Sequence, residues 1–174
     1  MEPKTQEQAI LFAEPKAIAK ILVAVDPHNT NPQVFAQAVH LAQLHGSELH
    51  ICHCIHDLLP PASNAFAGGS LGMYGGSFSP ELFEQSQSLI QEERQRINLW
   101  LQQFIHHAQA QGVNATFHHG EGDPGFYICK LAQDWQADLV VVGRRGRSGL
   151  SEMLMGSVSN HVVHHAPCAV LVVQ

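Results

Sequence analysis

Asp138-Leu139-Val140-Val141-Val142-Gly143-Arg144-Arg145-Gly146-Arg147-Ser148-Gly149 opens the stretch that decides the fold. It continues through Leu150-Ser151-Glu152-Met153-Leu154-Met155 to Gly156-Ser157-Val158-Ser159-Asn160. A short apolar run that ends in glycine reads as a buried strand, here Asp138–Val142. Gly143 and Gly146 carry no Cβ, so the backbone there can turn sharply and come close to a ligand. The frame is Gly-x2-Gly-x9-Gly-Ser, and a helix is expected to begin at Ser157. A helix N-terminus carries unpaired N–H groups and a partial positive charge, which suit phosphate. Gly143, Gly146, Gly156 and Ser157 therefore form the strongest candidate group, a wrap around the phosphates of a nucleotide. Val158 and Ser159 add N–H donors, and Ser157 and Ser159 add hydroxyls. Arg145 and Arg147 are within reach of phosphate oxygens; a solvated basic loop is the competing reading of both.

Upstream, strands and helices alternate. Lys20-Ile21-Leu22-Val23-Ala24-Val25-Asp26 is almost continuously apolar, as a central parallel strand requires. It stops in Pro27-His28-Asn29-Thr30-Asn31-Pro32, a cluster of turn formers. A helix is expected from Gln33 to His45, with Val34, Ala38, Leu41, Ala42 and Leu44 or His45 inward and Gly46 as its C-cap. Glu48–Ile55 reads as a second strand. Residues 57–79 are rich in glycine and are expected to be a flexible insertion or flap. Ser79-Pro80 reads as the cap and first position of a long helix to Gln111, striped by Leu82, Leu89, Ile90, Ile97, Leu101, Phe104, Ile105 and Ala108. A third strand spans Asn114–His119, a third helix Gly125–Trp135, and the last helix and strand are Ser157–His165 and Ala169–Val173. Such alternation predicts a single α/β domain on a parallel sheet with helices on both faces, over residues 19–174 behind a leader at 1–18. In a sheet wound 3-2-1-4-5, ligands collect where the strand order reverses, between the strands that end in Asp26 and Gly143.

Composition narrows the function classes. With 14% charged residues and a net charge of −6, the chain lacks the basic face of a nucleic-acid binder. No apolar run approaches the ~20 residues of a membrane span. The N-terminus has no secretory signal pattern. Cys52, Cys54, Cys129 and Cys168 lack CxxC spacing and fit reduced thiols in a cytoplasm.

Two motifs point elsewhere. His50, Cys52, Cys54 and His56 alternate onto one strand face. Residues two apart lie roughly 6.6–6.8 Å from each other along a strand, too far for one tetrahedral zinc to gather all four. Gly120-Glu121-Gly122-Asp123-Pro124-Gly125 has the GxGxxG form of a dinucleotide fingerprint. It follows the third strand, contains Pro124, and reads as a turn and helix cap. Trp100 and Trp135 are expected in the core, and the paired histidines at 106–107, 118–119 and 164–165 on the surface or at helix ends. No nucleophile with an adjacent base stands out.

The chain resembles a universal stress protein over residues 19 to 174. The resemblance rests on Lys20–Asp26, on Leu49-His50-Ile51-Cys52-His53-Cys54, on Gly143-x2-Gly146-x9-Gly156-Ser157, and on Pro167-Cys168-Ala169-Val170-Leu171-Val172-Val173. It implies a five-stranded parallel sheet ordered 3-2-1-4-5 and homodimers paired through the last strand. It also implies ATP binding, since members with the intact glycine motif are ATP binders; ADP or AMP are the alternatives. By the same analogy Asp26 lies beside the ribose and phosphates, acting through nucleotide-bound Mg²⁺. Ala24 and Val25 offer backbone groups near the base, and Cys54 holds a position that contacts adenine. The chain departs from the family in its His/Cys-rich second strand and the glycine-rich stretch after it. The expected function is a cytoplasmic, homodimeric sensor or switch in the stress response that binds adenine nucleotide and signals to a protein partner. A slow ATPase or nucleotidyl-transfer enzyme on the same fold is the alternative, and a ligand-free interaction module a third. Asp26 is the sole evident base, so at most weak ATP hydrolysis is expected.

Overall fold

The computed structural model describes residues 16–27, 31–55, 80–144 and 155–174, with the side chains of 80–83, 85 and 86 excepted. Most of the leader, the expected flap at 57–79, His56, the Ser79 cap, Leu82, and Arg145, Gly146 and Arg147 lie outside the described residues.

Five parallel strands form one sheet in the order β3-β2-β1-β4-β5. They are β1 (Lys20–Ala24), β2 (Glu48–Ile55), β3 (Ala115–Glu121), β4 (Leu139–Gly143) and β5 (Ala169–Val173). The helices between them are α1 (Pro32–His45), α2 (Pro80–Ala110), α3 (Pro124–Trp135) and α4 (Ser157–His165). Strands β1 and β4 are apolar and buried because both sheet faces are covered. Ile21 and Val23 of β1 join Leu49, Ile51, Val141 and the inner stripes of α1 and α2 in one core. Leu22, Val140, Val142 and Cys52 join Ile128, Ala132 and Val162 in the other, under α3 and α4. This is the doubly wound architecture expected from the sequence.

Several element ends fall one residue from expectation, and four differences are larger. Strand β1 stops at Ala24, two residues early, and the Val25 carbonyl just beyond it lies 3.0 Å from His53 Nδ1. Strand β3 runs on to Glu121, because Gly120 and Glu121 pair with Cys54 and Ile55. In α1 the buried stripe is Val34, Phe35, Ala38, Val39 and Ala42; Leu44 points away and is 66% exposed. Helical spacing carries positions 34, 38 and 42 onto one face with 35 and 39, and turns 44 off it. In α2, Ile97, Leu101 and Ala108 are buried, whereas Leu89 is 48% exposed, so among the described residues the stripe is covered only along its C-terminal part. Trp100 and Trp135 are half-buried and pack on the edges of the two cores.

Candidate functional site

A cleft of about 1050 Å³ opens at the carboxyl ends of the strands, where β1 and β4 diverge into connections on opposite faces. The sheet puts Ala24, Val25 and Asp26 on one side of it and Val142, Gly143 and Arg144 on the other. Cys52, His53 and Cys54 enter from β2, and Ser157, Val158, Ser159 and His161 from α4. Eight of the expected site residues thus share one cleft: Ala24, Val25, Asp26, Cys54, Gly143, Ser157, Val158 and Ser159. Gly156 sits just behind them as the N-cap of α4.

Among the described residues, three helices point their N-termini at this cleft, through Asn31, Asp123 and Ser157. Two of these ends are satisfied by side chains. Asn31 Oδ1 accepts the Gln33 N–H at 3.0 Å, and Asp123 Oδ1 accepts the Phe126 N–H at 2.9 Å. Helix α4 has Gly156 at its N-cap and no side-chain cap bond. The N–H groups of its first turn have no partner one turn back in the helix, so they are donors for an anion.

The same end is tied to β4. The Gly156 N–H donates to the Arg144 carbonyl at 2.8 Å, and the Ser159 hydroxyl lies 2.9 Å from that oxygen and 3.0 Å from the Gly156 carbonyl. The Arg144 N–H in turn donates to the Val173 carbonyl at 2.8 Å. Ser159 was expected to offer its hydroxyl to phosphate. That hydroxyl is buried and engaged with main-chain carbonyls, so Ser159 ties the start of α4 to the end of β4.

On the other side, Cys54 Sγ donates to the Gly122 carbonyl at 3.3 Å. Burial, with Asp123 and then Glu121, pushes its thiol up to about 11. Cys52 is fully buried and its thiol is pushed higher still, chiefly by burial. Neither is a reactive thiolate near neutral pH. Ser159 and Cys54 both donate to carbonyls and not to a base, so neither has the partner of an activated nucleophile. Asp123 caps α3 behind Gly122, whose φ is 114°, so the GxGxxG-like run is a strand end, turn and cap. His50, Cys52 and Cys54 lie along β2, and among the described residues no group of three His, Cys, Asp or Glu could hold a metal ion.

Reading the sequence missed several residues of the cleft: Asn31, His53, Trp100, Phe104, Asp123 and His161. His53 had a signal. It falls on the buried face of β2 with Leu49, Ile51 and Ile55, and a polar residue in an apolar row marks a specific partner.

The sequence model of the Universal stress protein family matches residues 17–174. The chain belongs to the universal stress protein family. Universal stress protein Sll1388 of Synechocystis sp. is 36% identical over 158 residues, covering 89% of this chain and 97% of that protein. Among solved structures, universal stress protein UspA from Lactobacillus plantarum superposes with a TM-score of 0.69 at 24% identity, over 92% of this chain and 100% of that one. The universal stress protein from Archaeoglobus fulgidus in complex with dAMP superposes with a TM-score of 0.54 at 18% identity, over 91% of this chain and 98% of that one. At those identities the two structures speak to the universal stress protein fold, which this chain shares strand for strand in its 3-2-1-4-5 sheet. Among the described residues no helix is long and apolar enough to cross a membrane.

Proposed function

We propose that this universal stress protein binds an adenine nucleotide in the cleft between β1 and β4 and acts as a regulatory sensor or switch. The observation that carries the reading is the α4 N-terminus. It is the one helix end on the cleft, among the described residues, without a side-chain acceptor, and it follows the glycine frame 143–157. Phosphate oxygens would take the N–H groups of Ser157, Val158 and Ser159, with Arg145, Gly146 and Arg147 closing over them. A related protein of the same fold has been solved with dAMP, which supports an adenine ligand. ATP is the ligand we favour, with ADP or AMP as alternatives.

The base would lie against Cys52, Ile128 and Val142, an apolar floor on the α3 side of the cleft. Its edge would meet the main chain of Cys54, next to Ala24 and Val25. Asp26 is the cleft carboxylate just past the end of β1, and it would hold Mg²⁺, which would neutralise phosphate charge there. The chain's own part is to bind and orient. Slow hydrolysis is the lesser reading, since among the described residues the cleft thiol of Cys54 and the Ser159 hydroxyl each donate to a carbonyl and not to a base.

The unpaired outer edge of β5 carries Ala-Val-Leu-Val-Val, half-buried in the single chain after an exposed Ala169, and supports a homodimer through that strand. Nucleotide would order the 145–154 loop and so alter a surface that a protein partner reads in the cytoplasm. Calorimetric titration of nucleotide-stripped protein with AMP, ADP and Mg-ATP tests the reading. Saturable binding of at least one supports it, and heats of dilution with all three sink it.

A further inference from the structure

In a parallel ladder every second residue turns both its N–H and its C=O to the same neighbouring strand. On β2, Cys52 faces β1: its carbonyl accepts the Val25 N–H at 2.9 Å. Cys54 shares that parity. The next rung of a regular ladder would carry the Cys54 N–H to the Val25 carbonyl. That carbonyl is instead 3.0 Å from His53 Nδ1. A carbonyl only accepts, so Nδ1 carries the proton. Strand pairing ends at Ala24↔Cys52, although β2 itself continues to Ile55.

The imidazole is held where it stands. His53 is 4% exposed, and its ring meets the Trp100 ring edge-on at 5.5 Å. Trp100 in turn packs edge-on against Phe104 at 4.9 Å. Val25, His53 and Cys54 all line the cleft.

We propose that His53 is a positioning residue for base recognition: by taking the Val25 carbonyl, it unzips β1 from β2 one rung early and leaves the Cys54 N–H facing the cleft, beside the Cys54 C=O, whose place in the ladder falls opposite Pro27, a residue with no N–H to donate. That pair matches the adenine edge, whose N1 accepts and whose 6-amino group donates. Hypoxanthine presents the reverse, an N1–H donor and an O6 acceptor. The inference rests on the base-reading role given to Cys54 above, but the backbone arrangement can be tested without any ligand.

The experiment compares wild type with His53→Asn and His53→Leu. Asparagine keeps an N–H near the place of Nδ1, and leucine fills the space without a donor. In the free proteins, NMR-resolved amide exchange at Cys54 should be about tenfold slower in His53→Leu, where the Val25 carbonyl recaptures the amide. It should be close to wild type in His53→Asn. The preference for AMP over IMP should fall about tenfold in His53→Leu and be retained in His53→Asn. If His53→Leu does not fold, His53→Gln takes its place, because its amide N–H sits at the Nε2 position and misses the carbonyl. Equal Cys54 protection in all variants overturns the proposal. So does an unchanged AMP to IMP ratio in His53→Leu. A wild type that binds neither nucleotide defeats the base-reading role of Cys54, and the exchange comparison alone then decides whether His53 holds the strands apart.

Discussion

The hydroxyl of Ser159 lies 2.9 Å from the carbonyl oxygen of Arg144, which also accepts the Gly156 N–H at 2.8 Å. One carbonyl at the end of β4 therefore gathers two donors from the start of α4 and holds Arg144 against Gly156 and Ser159. Ser159→Ala removes one of them from a buried site. A net loss of about 1 kcal/mol in unfolding free energy is expected, read by urea denaturation. Nucleotide affinity should fall as well, because the loop ends are less constrained. An unchanged affinity would show that closure does not depend on this bond.

Helix α3 meets α4 at a glycine. A Cβ on Gly125 would stand 2.8 Å from His161 Cγ and 2.9 Å from His161 Cβ. The crowded atoms belong to the base of the side chain, so His161 cannot simply swing its tip away. Gly125→Ala should cost roughly 1–3 kcal/mol through overpacking. Gln133→Ala, at an exposed position of the same helix, should be nearly neutral. Thermal unfolding of the two variants side by side checks this, and His161 makes a loss of ligand affinity in Gly125→Ala a second expected result.

Asp138 pins the entry to β1. Its Oδ2 accepts the Ala19 and Lys20 N–H groups at 3.0 Å each, and Lys16 pairs with the other oxygen. The Lys16 bond first, then the two backbone N–H groups, hold this carboxyl below its ordinary value. A carboxyl depressed in the folded state stabilises fully above the unfolded value, and that contribution is lost as pH falls through the folded one. Asp138→Asn should therefore be less stable than wild type at pH 7, by about 1 kcal/mol. The two should converge as pH drops below the usual carboxylate range. A gap that persists in acid would mean that the charge is not what stabilises.

The Cys54 thiol, raised to about 11 by burial and by Asp123 and Glu121, should resist alkylation by iodoacetamide at pH 8. Labelling should accelerate as pH rises toward that value, and bound nucleotide should slow it, since Cys54 lines the cleft. Rapid modification at pH 8, located by mass spectrometry, would contradict the environment described here.

How far the fold was legible follows from the physics of each element. β1, β2, β4 and β5 announce themselves as apolar runs between turn formers, and Asn31-Pro32, Gly46 and Asp123-Pro124 mark helix ends by their capping chemistry. The glycine frame led to the α4 N-terminus. What the sequence could not reveal was set by contacts across the sheet. Just past the early end of β1, the Val25 carbonyl meets an imidazole that comes from β2. The inward turn of the Ser159 hydroxyl depends on where the Arg144 carbonyl lies. Leu44 or His45 was expected to complete the inward stripe of α1, but both are exposed, and the spacing itself turns position 44 off the face that carries 34, 38 and 42. Arg145, Gly146 and Arg147 lie outside the described residues and stay as sequence-based expectations.

The most direct test of the central claim uses Gly156→Asp. Gly156 sits at φ −61° and ψ 152°, a conformation that any residue adopts, and aspartate is a good N-cap. The variant should fold at least as well as wild type, yet its carboxylate would occupy the α4 N–H donors and repel phosphate. Thermal unfolding of nucleotide-stripped protein is measured with and without Mg-ATP. Ligand at 100 times its Kd adds ~2.7 kcal/mol, so the wild-type Tm should rise by several degrees. In Gly156→Asp the shift should vanish. An equal Mg-ATP shift in both proteins would mean that the nucleotide binds elsewhere, and the absence of a shift in wild type with Mg-ATP, ADP and AMP alike would contradict the account at its root.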